Sequence, residues 1–115
     1  MSLPFTMFVL SDLHLEFCKT SIDKYVNRIP ETDVLVLAGD IGMPNKQHFS
    51  RFLQLCSERH DMVIFVPGNH EYWSEKTDKQ MDELCDKCGV IMLQNEMLSY
   101  LGIIFIGSTL WTELR

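Results

Sequence analysis

The chain has little positive charge. Lys and Arg number 10 against 16 Asp and Glu, a formal net charge of −6 over 115 residues. That balance argues against the basic stripe by which most nucleic-acid-binding domains track phosphates. It leaves phosphate-ester substrates open, because bound divalent cations would reverse the local field. No apolar run reaches the length needed to cross a bilayer, and the apolar start, Met1 to Phe8, is short and lacks a basic lead, so neither a membrane span nor a signal peptide is expected. Repeats, linkers and low-complexity stretches are missing too. Of the four cysteines, Cys85 and Cys88 have metal-like or redox-like spacing, but no second pair completes a zinc ribbon. They are expected to be ordinary reduced thiols near a helix end, in a chain expected to be cytoplasmic. No Gly-rich phosphate loop follows the first apolar run, which removes support from a nucleotide-binding reading.

What is present is a hydrophobic content of 46%, enough for one packed domain over residues 1–115. Three runs, Phe5–Ser11, Val34–Ala38 and Met62–Val66, are nearly continuous in Val, Leu, Ile, Phe and Met. Such runs predict strands covered on both faces. Between them Ile22, Tyr25, Val26 and Ile29 form a helical stripe, with Thr20 or Ser21 as N-cap and Pro30 as a stop. Phe49, Phe52, Leu53 and Cys56 form a second stripe. Met81, Leu84, Cys85 and Cys88 form a third, closed by Gly89. A short strand, Val90–Leu93, and a hairpin, Met97–Tyr100 with Ile103–Ile106, follow. The expected fold is α/β, a largely parallel sheet with alternating helices.

Each of the first three strands ends in a polar signature: Asp12-Leu13-His14, Gly39-Asp40 and Gly68-Asn69-His70-Glu71. Parallel strands point the same way, so these signatures are expected to gather at one sheet edge. Singly each is weak, since Asp after a strand and Pro-Gly-Asn are ordinary turn chemistry. Together they offer two carboxylates, an imidazole and an amide oxygen, a mixed donor set that suits manganese, iron or zinc. Asp40, from the middle strand, is the natural candidate to bridge two cations. His70 is placed to assist a leaving oxygen.

The set D-x-H, G-D and G-N-H-E, in this order, resembles the calcineurin-like metallophosphoesterases from residue 5 to about 111. The resemblance implies half of an α/β/β/α sandwich. It also implies two divalent metal ions that activate water for attack on a phosphomono- or phosphodiester. Asp12 and His14 would bind the first metal, Asp40 would bridge, Asn69 would bind the second, and His70 would be catalytic. The family carries further histidines after these motifs, whereas His14, His48, His60 and His70 are the four here and none lies beyond residue 70. The chain is therefore expected to lack a C-terminal half, to pair with that half or with a second copy, or to be an inactive binding or regulatory module. His48 and His60 are read as solvated residues of the second helix rather than ligands. Tyr72 and Trp73 either wall a substrate pocket or pack under the loop, and the role of Trp111 is open.

Overall fold

The computed structural model describes residues 5–110. Four strands, β1 (Met7–Leu10), β2 (Val34–Ala38), β3 (Met62–Val66) and β4 (Ile91–Met92), form one parallel sheet in the order β1-β2-β3-β4. The helices between them are α1 (Ile22–Asn27), α2 (Gln47–Arg59), a single turn α3 (Asn69–Tyr72) and α4 (Asp78–Lys87). β5 (Glu96–Tyr100) and β6 (Ile103–Gly107) make a separate antiparallel hairpin.

Local chemistry explains most of these boundaries. The Ser21 hydroxyl accepts the Lys24 N–H at 3.3 Å and starts α1. Thr77 and Gln80 cap α4 reciprocally, with Thr77 N–H to Gln80 Oε1 at 2.9 Å and Gln80 N–H to Thr77 Oγ1 at 3.2 Å. Past Gly89, the Val90 N–H reaches back to the Cys85 carbonyl at 2.9 Å and ends that helix.

Crossovers of one hand between strands in unbroken order deliver their helices to the same face. Val26 of α1, Phe49, Phe52 and Leu53 of α2 and Met81 of α4 accordingly share one core with Leu35, Leu37, Val63 and Phe65. The aromatic pair Phe49–Phe65 meets edge-on at 5.5 Å.

The opposite face differs from the expectation of full coverage. There Val34, Ile64 and Leu93 pack with Leu98, Tyr100 and Phe105 of the hairpin. The hairpin stops short of β1, whose Met7 and Val9 are 47% and 54% exposed. The physical reason is the hairpin's width: two strands cannot cover four, so only the central strands are buried on both sides.

Candidate metal centre at the strand ends

The loops leaving β1 and β2 stay paired after the strands stop. Asp12 N–H donates to the Gly39 carbonyl at 3.0 Å, His14 N–H to Asp40 at 3.0 Å, and Leu15 N–H to Ile41 at 2.8 Å. This stitching forces unusual backbone. Asp12, His14 and Asp40 take φ values of 57°, 48° and 52°, the left-handed region that non-glycine residues seldom occupy. Three residues of this conformation fall in one cluster of acids and imidazoles, which makes the cluster a candidate functional site. Gly39 shares that conformation at φ 86°, and a Cβ there would lie 3.0 Å from the Gly68 Cα. Gly68 is extended, yet a side chain on it would sit 2.6 Å from the Asp40 amide nitrogen. The two glycines let the second and third signatures close up.

Glu71 fastens them. Its carboxylate is fully buried and accepts three backbone N–H groups: Gly68 at 2.6 Å, Asp40 at 2.8 Å and Gly42 at 3.1 Å. Burial raises its pKa; the three N–H donors pull the other way, and the neighbouring Asp40 charge adds to the rise. Sequence reasoning left Glu71 without a role. The local signal for it was a Glu three residues after Gly68 at the start of a helical turn.

Donor atoms of His14, Asp40 and His70 lie within 4.8 Å of one another. The His14 and His70 rings are 4.6 Å apart, and the Asp12 Oδ1 is 3.9 Å from His14 Nε2. Asp40 Oδ1 accepts the His70 N–H at 3.0 Å. The Asn69 amide lies 3.2 Å from both Asp40 oxygens; donor matching turns its nitrogen toward them, and its oxygen away. Asp12, Asp40 and Asn69 line a cleft of about 410 Å³, bounded on its far side by Ile106, Ser108 and Thr109 at the hairpin end. All five residues singled out in the sequence therefore meet at the strand ends, with His70 beside His14 and Asp40.

A cation suits this donor set. The Asp40 carboxylate and the His14 and His70 imidazoles crowd together, with the Asp12 carboxylate 3.9 Å from His14 Nε2, a mixed oxygen and nitrogen set of the kind divalent transition metals take.

The surrounding aromatics divide. Trp73 is 64% exposed and stacks on His70 at 4.0 Å. Tyr72 is half-buried and packs on the core, its hydroxyl donating to Asp78 at 2.5 Å and accepting from Gln94. Gln94 also donates to Thr109, whose hydroxyl reaches the Pro67 carbonyl at 2.5 Å, so this network ties the hairpin end to the Asn69 loop. Burial, followed by Asp78, pushes the Tyr72 pKa up. Trp111 lies outside the described residues. His48 is half-buried and accepts the Met43 N–H at 3.4 Å; burial lowers its pKa. His60 corrects the expectation of a solvated residue: it is buried, because its ring is held against Thr32, with Nδ1 2.9 Å from the carbonyl and 3.3 Å from the hydroxyl of that residue.

A parallel sheet whose strand ends present a strained cluster of acids and imidazoles defines an α/β protein with a candidate metal centre. Residues 5–111 match the family described as calcineurin-like phosphoesterase, and the chain belongs to that family. It is 32% identical to protein L509 of Acanthamoeba polyphaga mimivirus, across 91% of this chain and 44% of that one. It is 30% identical to the [acyl-carrier-protein] phosphodiesterase PptH of Mycobacterium tuberculosis, across 75% of this chain and 30% of that one. The crystal structure of that phosphopantetheinyl hydrolase superposes with a TM-score of 0.65 at 24% identity, over 83% of this chain and 37% of the other, a likeness of fold. The chain thus spans less than half the length of the relatives it matches.

Proposed function

We propose that these residues form the metal-binding part of a phosphoesterase site that hydrolyses a phosphomono- or phosphodiester. The observation that carries this reading is the convergence of His14, Asp40 and His70 within 4.8 Å at three strand ends of a chain from this family. Asp12 and His14 would hold one divalent cation and Asn69 a second, with Asp40 between them. Manganese, iron and zinc all suit such mixed donors. When bound, two such ions would neutralise phosphoryl oxygens and lower the pKa of water toward neutrality.

The protein's own share is positional. The Asp12 and Asp40 loops are locked together by backbone bonds, so the backbone that carries their carboxylates is set before any ligand arrives. Asp40 is further oriented by the His70 N–H. Trp73 covers one face of the His70 ring and restricts its rotation. A protonated His70 would then give its proton to the departing ester oxygen. The name of the mycobacterial relative makes phosphodiesters the first class to assay.

The proximity of His70 to His14 and Asp40 favours a second role for it, as a further ligand beside the four named above. Calorimetric titration with Mn²⁺ and hydrolysis of aryl phosphomono- and diesters decide between them. Asp40→Ala is expected to abolish both binding and hydrolysis. His70→Ala is expected to lower turnover by about 10²–10⁴-fold at unchanged Mn²⁺ affinity if His70 is the acid. Loss of affinity in that variant would make it a ligand. Hydrolysis surviving both substitutions would remove the site assignment.

A further inference from the structure

One acidic residue beside the cluster has no part in the chemistry above. Glu16 lies in the 3-10 turn Leu15–Phe17 that follows the first signature. Its side chain is only 15% exposed, and Oε1 stands 3.6 Å from His14 Nδ1. Both His14 Nδ1 and Glu16 Oε2 are buried without a hydrogen-bond partner. The other ring nitrogen, Nε2, faces Asp12 Oδ1 at 3.9 Å. The imidazole thus lies between two carboxylates, the largely covered Glu16 on the Nδ1 side and the cleft-lining Asp12 on the Nε2 side.

The backbone leaves little freedom to alter this. His14 is held in the left-handed region at φ 48°, and its N–H is bonded to the Asp40 carbonyl. Leu15, the next residue, is buried and anchors the turn that carries Glu16. His48 is also within electrostatic reach of Glu16, but its Nε2 already accepts the Met43 N–H. A carboxylate oxygen and a buried ring nitrogen that face each other at 3.6 Å, just beyond bonding distance, are complementary only if the proton sits on Nδ1.

We propose that Glu16 is the positioning carboxylate of His14: it accepts the Nδ1–H, fixes that tautomer, and aims the Nε2 lone pair into the cluster. Metal-binding histidines depend on such an outer partner for ring orientation and basicity. The consequence for metal affinity rests on the metal reading above; the tautomer does not.

The experiment uses the full chain, labelled with ¹⁵N and free of metal, at about pH 8, above the usual imidazole range. Long-range ¹H–¹⁵N correlation is expected to show His14 protonated on Nδ1. Glu16→Ala should shift it toward the Nε2–H tautomer and weaken Mn²⁺ binding by about 10–100-fold in calorimetry. Glu16→Gln, whose amide oxygen can accept the same proton, should keep the tautomer and most of the affinity, and it remains informative should Glu16→Ala fold poorly. An Nε2–H tautomer in the unsubstituted chain overturns the proposal. So does a Glu16→Ala variant with unchanged tautomer and affinity. An Nδ1–H tautomer lost in Glu16→Ala, in a chain that binds no Mn²⁺, would remove the metal reading while leaving the Glu16 assignment standing.

Discussion

At the scale of single residues, Glu71 has the largest structural role for its size. One carboxylate satisfies the N–H groups of Gly68, Asp40 and Gly42, and so joins the end of β3 to the loop after β2. Glu71→Gln keeps the shape but turns an NH₂ group toward backbone donors. Leaving a buried donor unmet, and losing a bond to a charged acceptor, costs about 2–3 kcal/mol. Urea unfolding followed by circular dichroism should show a loss of that order, and Mn²⁺ affinity should fall with it because Asp40 is released. A variant with unchanged midpoint and affinity would show that the carboxylate is dispensable. The ligand candidates Asp12, His14, Asp40 and Asn69 and the catalytic candidate His70 stood out in the sequence because polar residues break apolar runs there. Glu71 did not, because two of its partners are backbone amides 29 and 31 residues away, and backbone donors carry no sequence signature.

At the scale of elements, β2 and β3 fall on the residues their composition indicated, since strands buried on both faces leave uninterrupted apolar runs. α1 ends at Asn27, three residues ahead of Pro30. The turn α3 was not legible: four residues are too few to show a helical period. The apolar stripes of α2 and α4 carry Cys56 and Cys85 into the core, where burial raises each thiol pKa from 9.0 to about 12. Two outcomes are expected. In the folded chain both thiols should resist iodoacetamide at pH 8 and react once urea is added, measured by mass spectrometry. A thiol whose folded pKa is raised contributes stability that is fully present below its unfolded value and lost as pH rises through the folded one. Stability should therefore decline between about pH 9 and pH 12, and replacing both cysteines with Ala should flatten that part of the profile.

At the scale of the whole molecule, the helices cover one face of the parallel sheet and the hairpin covers part of the other. Register places Met97, Ile104 and Ile106 together on the hairpin's outer face, and all three are exposed. Apolar surface of this kind favours association. This chain is expected to self-associate with rising concentration in sedimentation velocity. Ile104→Lys with Ile106→Lys should return it to a monomer without lowering the thermal midpoint, because neither side chain contributes to the core. A wild-type chain that stays monomeric across the concentration range would show that this face is inert. No helix among the described residues is long and apolar enough to cross a membrane.

The sequence by itself determined the α/β class and the gathering of Asp12, His14, Asp40, Asn69 and His70 at one edge. Apolar run length sets which segments become parallel strands, and parallel strands must bring their ends together. Tertiary structure decided what holds those ends: the backbone stitching from Asp12 to Ile41, the Glu71 clasp, the Glu16 carboxylate behind His14 and the Trp73 ring on His70. These depend on which backbone groups and ring faces meet across turns and across some thirty residues of chain, and that is fixed by packing rather than by residue type.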